Sequence, residues 1–211
     1  MSNSFVLIVF AKAPVPGEVK TRLIPALDAE HAAMLHAALT ERALTTALDS
    51  DAEAIELCCA PDDAHSFFQS CAEDFEVDLS RQGEGDLGER MLRALDRALE
   101  EFPQAIIIGA DCPALTAKHI DAAAAALANH DIVLTPAEDG GYALIGARRT
   151  HPDMFKGIAW STDTVLEQQR NNLGDCGLSR HEMETLWDVD RPADLPRLQA
   201  LHPSLEFFWP A

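Results

Sequence analysis

Short apolar runs alternate with longer helical stretches along most of the chain. The runs rich in strand-forming residues are 5–10, 54–60, 75–79, 105–109, 131–137 and 142–147. The stretches with apolar residues at helical spacing are 29–48, 62–72, 87–101 and 117–129, and Asp28 is the expected N-cap of the first. This alternation predicts an α/β fold in which a largely parallel sheet carries helices on both faces.

The last two apolar runs predict one antiparallel strand. Only the sequence EDGG separates the run 131–137 from the run 142–147, and a short connection with two glycines is typical of a hairpin. The sheet is therefore expected to be mixed. The pattern loosens after Arg148, with short elements at 164–173, 182–187 and 191–201. Since no linker or repeat interrupts the chain, we expect one domain over residues 1–211.

Composition and charge exclude several classes of function. The chain has 35 acidic and 16 basic residues, a net charge of −19, which disfavours nucleic acid as a partner. The apolar run 5–10 is too short for a membrane span or a signal peptide. Five cysteines without a C-x-x-C pair fit a reducing compartment better than a disulfide framework. The sequence therefore predicts a cytoplasmic protein that binds small molecules.

One basic segment stands out in this acidic chain. Residues 10–23 read FAKAPVPGEVKTRL and contain Lys12, Lys20 and Arg22 against a single acid, Glu18. The segment lacks the second glycine of a P-loop, but a loop shaped by proline and glycine can expose backbone N–H groups to phosphate beside Lys and Arg. The alternative is an ordinary strand-to-helix loop with bases on its surface.

Aspartates follow other expected strands. Asp111 lies two residues beyond the run 105–109, where a Mg²⁺ or Mn²⁺ ion bound to substrate phosphates would need a hard oxygen ligand, although it could equally cap a helix. Asp188 and Asp190 alternate in an extended segment, so only one of them is expected to face the site. Asp190 precedes Arg191 and Pro192 and is also an expected helix N-cap.

Six blocks in order along residues 10–195 resemble one superfamily. They are FAKAPVPGEVKTRL, QGEGDLGERM, GADCPAL, EDGGYALIG, WST and DVDRPADL. Together they resemble the nucleotide-diphospho-sugar transferases with the GT-A fold, and in particular the small bacterial GT-A glycosyltransferases linked with arsenosugar biosynthesis. The resemblance implies a GT-A-like three-layer α/β/α sandwich.

The resemblance also implies roles for individual residues. The nucleotide and its phosphates would be bound by Ala11, Lys12, Gly17, Lys20, Thr21, Arg22, Gly85, Asp86 and Gly88. The sugar or acceptor side would be lined by Asp139, Gly140, Gly141, Tyr142, Trp160, Ser161 and Thr162. Lys20, Arg22 and Asp111 would serve catalysis, with Asp111 and Asp190 as ligands of Mg²⁺ or Mn²⁺.

Two departures from the superfamily keep alternatives open. The sequence at residues 111–113 is Asp-Cys-Pro in place of D-x-D, and the G-G-x-G-T-R loop of sugar-nucleotide pyrophosphorylases is absent. The leading hypothesis is a glycosyltransferase that uses a sugar nucleotide and a small acceptor. The rivals are a guanylyltransferase-like nucleotidyltransferase with a phosphorylated acceptor, and a nucleotide-binding protein without catalysis.

Two further expectations concern bases and subunits. A phosphorylated acceptor would need a second cluster of bases, but Arg148 and Arg149 follow a strand of about six residues and should lie at its far end, roughly 20 Å away. The apolar tail 205–211 could pack on the core or on a second subunit, so a homodimer stays open.

Overall fold

A seven-stranded sheet organises the chain, with strand order β3-β2-β1-β4-β6-β5-β7. The computed structural model describes residues 4–24, 26–203 and 205. The strands are β1 (Val6–Lys12), β2 (Ala54–Ala60), β3 (Asp78–Arg81), β4 (Ala105–Gly109), β5 (Ile132–Pro136), β6 (Tyr142–Ala147) and β7 (Arg180–Glu182). The helices are α1 (Ala29–Leu48), α2 (Ser66–Phe75), α3 (Leu87–Leu99), α4 (Ala117–Ala126), α5 (Val165–Asp175) and α6 (Leu195–Leu201).

The direction of the strands confirms the predicted mixed, mostly parallel sheet. β1 pairs in parallel with both β2 and β4, and β3 and β7 extend the two sides in the same sense. β6 is antiparallel to β4 and to β5, as the short EDGG connection predicts. The hairpin returns the chain between β4 and β5, so β5 lies one strand further out.

Apolar side chains from alternate strand positions form two separate cores. On one face Leu7 and Val9 pack with α1, α2 and α4, and on the other Ile8 and Ile107 pack with α3 and α5. Strands buried on both faces read as continuous apolar runs, which explains the sequence pattern of β1 and β4. The three layers of the predicted sandwich are confirmed.

A third apolar cluster joins distant parts of the chain at one edge. Leu23 from a short 3-10 helix (Thr21–Leu23) packs with Leu35 of α1, Val189 and Leu198 of α6. This cluster places the basic segment next to the late aspartates.

Most element boundaries follow the sequence prediction closely. α1 spans the predicted residues 29–48, and the Asp28 side chain accepts a hydrogen bond from the His31 N–H at 2.8 Å. α2 begins four residues later than predicted, because His65 caps its first turn by accepting from the Phe67 N–H. The second late element, expected at 182–187, is a strand at Arg180–Glu182. Most of the apolar tail, residues 206–211, lies outside the described residues.

Among the helices of the described residues, none is both long and apolar enough to cross a bilayer.

Asp131 directly precedes β5 and lies at the end of the sheet opposite to the carboxyl ends of β1 and β4. Its carboxylate accepts hydrogen bonds from Ser179 N–H and Oγ at 2.9 and 2.7 Å, and it pairs with Arg149 at 3.1 Å and Arg148 at 3.4 Å. Burial opposes ionisation, but the Ser179 bonds and the Arg149 charge outweigh it and lower the pKa of Asp131 to about 2. Arg148 and Arg149 therefore lie at the far end of β6, as predicted.

We expect Asp131→Asn to destabilise the protein by about 1 to 2 kcal/mol at pH 7, because a carboxylate with a depressed pKa stabilises the fold above its unfolded pKa. The contribution is lost as the pH falls from about 4 to about 2, since Asp131 then becomes protonated in both states. Thermal unfolding between pH 2.5 and 8 measures it. A difference between parent and variant that is as large at pH 2.5 as at pH 8 would contradict this account.

Candidate active site

The sheet has a topological switch point at the carboxyl ends of β1 and β4, and a crevice can form there. From β1 the sheet grows outward through β2 and β3 on one side and through β4 on the other. In open α/β sheets, ligands bind beyond the strand ends at such a switch point. Lys12 ends β1 and Asp111 follows β4 by two residues, so both predicted residues lie at this crevice.

The crevice is a cleft with two lobes. The first lobe has a volume of about 570 Å³ and lies over the basic segment, His36, Gln82 and the start of α3. The second has a volume of about 430 Å³ and lies over the β5–β6 turn and residues 160–162. The residues that line both lobes are Lys12, Arg22, Leu87, Gly109, Asp111, Trp160, Ser161 and Asp190. These shared residues form the junction of the two lobes, and they include the charged side chains of Lys12, Arg22, Asp111 and Asp190.

The Lys20 side chain is buried and contacts two other segments of the chain. Its backbone is left-handed, with φ of 49°, and its side chain is only 4% exposed. The ammonium lies 2.7 Å from Asp111 Oδ1 and donates to the Val189 carbonyl at 2.5 Å. Lys20 thus joins the basic segment to the loop after β4 and to the late aspartates.

Arg22 and Lys12 present their charges to the junction. The Arg22 side chain is 52% exposed and pairs with Asp190 Oδ2 at 2.5 Å, and this hydrogen bond raises the pKa of Arg22. The Lys12 side chain is exposed and forms no ion pair with a described residue. Both cations are placed to meet an anion between the lobes.

Asp111 lies between two basic groups. Its side chain is 52% exposed to the cleft, with Lys20 Nζ at 2.7 Å and His36 Nδ1 at 3.8 Å from Oδ1. Burial disfavours the charged form, but the Lys20 ammonium and the His36 ring outweigh it and hold the pKa of Asp111 well below its usual range. Asp111 is therefore a carboxylate at any pH near neutrality.

Asp188 and Asp190 both face the cleft, which corrects the expectation that only one does. Regular strand structure is absent at residues 187–191, so strict alternation of sides does not apply. Burial and the charge of Asp139 raise the pKa of Asp188 to about 6. Neither Asp188 nor Asp139 pairs with a cation among the described residues, and both line the second lobe.

The predicted capping role of Asp190 is also corrected. The N-cap of the 3-10 turn Pro192–Asp194 is Arg191, and the Asp194 carboxylate accepts from the N–H groups of Asp190 and Arg191. The Asp190 side chain does not cap the turn and forms an ion pair with Arg22 instead.

The carboxylates of the cleft fit a divalent cation by their chemistry. Asp111, Asp139, Asp188 and Asp190 all line the second lobe, and hard oxygen ligands are those that Mg²⁺ and Mn²⁺ prefer. The raised pKa of Asp188 reflects its burial first and the negative charge of Asp139 second. Within the described residues, no three His, Cys, Asp or Glu side chains are already arranged as a metal site.

The turn between β3 and α3 shapes the first lobe. Asp86 caps α3 in a reciprocal pair with Glu89, so that Asp86 and Leu87 line the lobe. Gly88 lies under Trp160, where a Cβ atom would come within 2.8 Å of the ring. Of the predicted nucleotide residues, Gly17, Gly85 and Gly88 are not among those lining the lobe, whereas Ala11, Lys12, Lys20, Thr21, Arg22 and Asp86 are.

Sequence reasoning missed three residues of the first lobe. Gln82 is buried and donates to the carbonyls of Ala11 and Cys58 at 3.2 and 3.0 Å. Arg90 donates to Gln82 Oε1 at 3.2 Å, and His36 reaches the lobe from α1. Gln82 and Arg90 lie in the block QGEGDLGERM, in which only Gly85, Asp86 and Gly88 were given a role. His36 is a single polar residue inside an ordinary helix pattern, so no local signal marks it.

Aromatic rings and hydroxyl-bearing side chains line the second lobe. The buried Tyr142 hydroxyl donates to Gln169 Oε1 at 3.3 Å, and burial raises the pKa of Tyr142, so its hydroxyl serves the core. Thr162 Oγ1 donates to the Ala159 carbonyl. Ser161 lies at the junction with φ of 64°, an uncommon conformation for a residue with a side chain. All the predicted sugar-side residues except Gly140 line this lobe.

Gly140 shapes the wall of the second lobe from the β5–β6 turn. Its φ is +90°, and a Cβ atom would lie 2.2 Å from the backbone oxygen of Asp163. We expect Gly140→Ala to displace the turn, lower the melting temperature by several degrees and weaken ligand binding in the second lobe. The matched control is Gly174→Ala, a helical position with open space, which should stabilise slightly. Equal melting temperatures for the two variants would contradict the expectation.

The fold and the cleft define the class of the protein. The chain has the GT-A-like fold of the nucleotide-diphospho-sugar transferases, which confirms the resemblance to that superfamily seen in the sequence. Residues 43–162 match the family described as "Uncharacterized protein conserved in bacteria (DUF2064)", and the chain belongs to this family. No curated protein matches the chain.

Three solved structures illustrate the relationship. A protein of Desulfovibrio desulfuricans G20, provisionally described as a nucleotide-diphospho-sugar transferase, is 28% identical with a TM-score of 0.81, over 97% of this chain and 99% of that one. A nucleotidyl transferase from Methanothermobacter is 12% identical, with a TM-score of 0.66 over 96% and 100%. Glucosyl-3-phosphoglycerate synthase of Mycobacterium tuberculosis, solved with Mn²⁺, UDP and glucosyl-3-phosphoglycerate, is 10% identical, with a TM-score of 0.54 over 97% and 78%. The last two show the fold alone, and the set contains both glycosyl and nucleotidyl transferases.

Proposed function

We propose that the protein is a glycosyltransferase that moves a sugar from a nucleotide-diphosphate sugar to a small acceptor. The observation that carries the proposal is the distribution of charge between the lobes. Lys12 and Arg22, at the junction, are the only Lys or Arg residues among those lining the second lobe. A donor can therefore place its diphosphate at the junction and its neutral sugar in the second lobe.

The residues of the junction would act on the leaving group. Lys12 and Arg22 would donate charge-assisted hydrogen bonds to the phosphate oxygens, on which negative charge develops as the sugar departs. Lys20 would fix the orientation of Asp111 from its buried position. Trp160, Ser161 and the ring of Tyr142 would contact the sugar, and the first lobe would hold the nucleoside.

Asp111 and Asp190 would hold Mg²⁺ or Mn²⁺, and Asp188 is an additional candidate because it faces the same cleft. When bound, the cation would supply positive charge to the departing diphosphate. A small neutral acceptor, a cytoplasmic location and a single domain over residues 1–211 remain predictions that accompany this proposal.

The main rival is transfer of a nucleotide to a phosphorylated acceptor, with pyrophosphate as the product. The same basic segment would bind the triphosphate, and nucleotidyl transferases share the fold. The rival needs a second basic cluster near the junction, but Arg148 and Arg149 pair with Asp131 at the opposite edge of the sheet. This arrangement favours sugar transfer.

Product analysis tests the proposal. The protein is incubated with Mn²⁺ and a mixture of sugar nucleotides, or with nucleoside triphosphates and phosphorylated sugars, and coupled assays follow nucleoside diphosphate and pyrophosphate. We expect slow release of nucleoside diphosphate, lost in Arg22→Ala and retained in Asp131→Asn. Pyrophosphate alone would establish the rival reaction. Thermal stabilisation by nucleotides without either product would indicate a binding protein that lacks catalysis.

A further inference from the structure

His36 links the last residue of β1 to the carboxylate that follows β4. The residue lies in α1, is 6% exposed and reaches the wall of the first lobe. Its Nε2 is 3.0 Å from the Lys12 carbonyl oxygen. A carbonyl oxygen only accepts hydrogen bonds, so Nε2 carries a hydrogen, and this bond sets the orientation of the ring.

The bond from His36 contacts β1 where the strand continues beyond its pairing with β4. Pairing between β1 and β4 ends at Phe10 and Gly109, so Lys12 has no partner on β4. Lys12 nevertheless stays in register with Ala60 on β2. His36 therefore holds the end of β1 where the Lys12 side chain enters the junction of the two lobes.

The second ring nitrogen points to the other side of the junction. His36 Nδ1 is buried, has no hydrogen-bond partner and lies 3.8 Å from Asp111 Oδ1. A buried polar atom without a partner is costly, and in native proteins such atoms need a functional or structural reason. The charged atom that this nitrogen faces is Asp111 Oδ1, the same oxygen that Lys20 Nζ contacts at 2.7 Å.

We infer that His36 is a positioning residue for the proposed transfer reaction. Its Nε2–H positions Lys12 for the diphosphate. A carboxylate only accepts hydrogen bonds, so Nδ1 orients Asp111 as a donor, with hydrogens on both ring nitrogens and Lys20 on the same carboxylate oxygen. The inference rests on the proposed function, because it assigns His36 to the same junction. Groups that orient a charged residue in this way typically change affinity or rate by about 10- to 100-fold when they are removed.

Two substitutions separate the functions of the two nitrogens. In His36→Gln the side-chain amide nitrogen can take the place of Nε2 and keep the bond to Lys12, but nothing replaces Nδ1. In His36→Asn the shorter amide occupies the place of Nδ1 and loses the reach to Lys12. We expect His36→Gln to lower kcat for nucleoside diphosphate release about tenfold with little change in KM, and His36→Asn to raise KM for the sugar nucleotide about tenfold.

Gln104→Leu is the matched control for burial. Gln104 is 7% exposed, has a side-chain oxygen without a partner and precedes β4 at the edge opposite to the cleft. Its replacement should change the melting temperature and leave kcat and KM unchanged. If His36→Gln also changes the melting temperature but leaves kcat and KM unchanged, His36 is only a core residue and the inference is wrong.

A double-mutant cycle with Asp111→Asn completes the test. We expect the effect of His36→Gln on kcat for nucleoside diphosphate release to fall at least fivefold in the Asp111→Asn background. Additive effects would overturn the inference. The same cycle is measured in urea unfolding without nucleotide, where coupling between the two residues is also expected. If no nucleotide binds the parent, the proposed function fails, and coupling in unfolding alone then decides whether His36 positions Asp111.

Discussion

Arg22→Ala is expected to weaken the binding of nucleoside diphosphates by about 10- to 100-fold and to leave the fold intact. The guanidinium is 52% exposed at the junction of the lobes, and charge-assisted bonds to phosphate are worth about 1.5 to 3 kcal/mol. Its loss also leaves Asp190 without its ion-pair partner, and that charge repels the ligand. Calorimetric titration with UDP, GDP, CDP and ADP measures the effect.

Arg197→Ala provides the matched control. Arg197 pairs with Glu138 at 2.9 Å and is 51% exposed, close to the exposure of Arg22, but it is not among the residues lining either lobe. We expect unchanged nucleotide affinity in this variant. Equal affinities for the parent and both variants would mean that the basic segment is an ordinary surface loop.

Lys20→Ala should behave differently from Arg22→Ala, although the sequence presents the two residues alike. Lys20 is 4% exposed and satisfies both Asp111 and the Val189 carbonyl. Removing it leaves a carboxylate and a carbonyl without their partner, so both the melting temperature and nucleotide affinity are expected to fall. Thermal unfolding of the two variants side by side makes the comparison.

Asp111→Asn is expected to remove the dependence of nucleotide affinity on Mn²⁺ and to lower diphosphate release by at least about 100-fold. A neutral amide cannot hold a hard cation as a carboxylate does, and metal ions contribute several kcal/mol to charge stabilisation at phosphate. Titrations with and without Mn²⁺ measure the first effect, and initial rates measure the second.

Asp131→Asn controls for the loss of one negative charge, because Asp131 lies at the opposite edge of the sheet. Its metal dependence should equal that of the parent. If nucleotide affinity still depends on Mn²⁺ in Asp111→Asn, we would assign the cation site to Asp139, Asp188 and Asp190 instead. Asp139 and Asp188 have no cationic partner among the described residues.

Local chemistry explains why so many elements could be predicted. The Asp28 side chain caps α1 through a contact only three residues away, and the EDGG connection makes an antiparallel hairpin almost unavoidable. Continuous apolar runs are typical of strands buried on both faces, which predicted helices on both sides of the sheet. Periodicity and turn residues act within a few positions, so they can be read along the chain.

The candidate site was predictable only in part. The basic segment, Asp111 and the 139–142 turn follow strand ends, and strand ends of a parallel sheet meet at one edge. The expectation that only one of Asp188 and Asp190 faces the site was wrong, because their segment is irregular and alternation does not hold there. His36 carried no signal and Gln82 was given no role within the block QGEGDLGERM, since their partners, Lys12 and Ala11, are 24 and 71 residues away.

By itself the sequence determined the layers of the fold, the hairpin and the end of the sheet at which charged residues gather, because these depend on local periodicity and strand direction. Only the tertiary structure decided which charges remain available to a ligand. Lys20 and Arg22 are two residues apart, yet one is buried against Asp111 and the other is exposed beside Asp190. That difference arises from the packing of Leu23 and Val189 against α1, a long-range contact that local sequence does not encode.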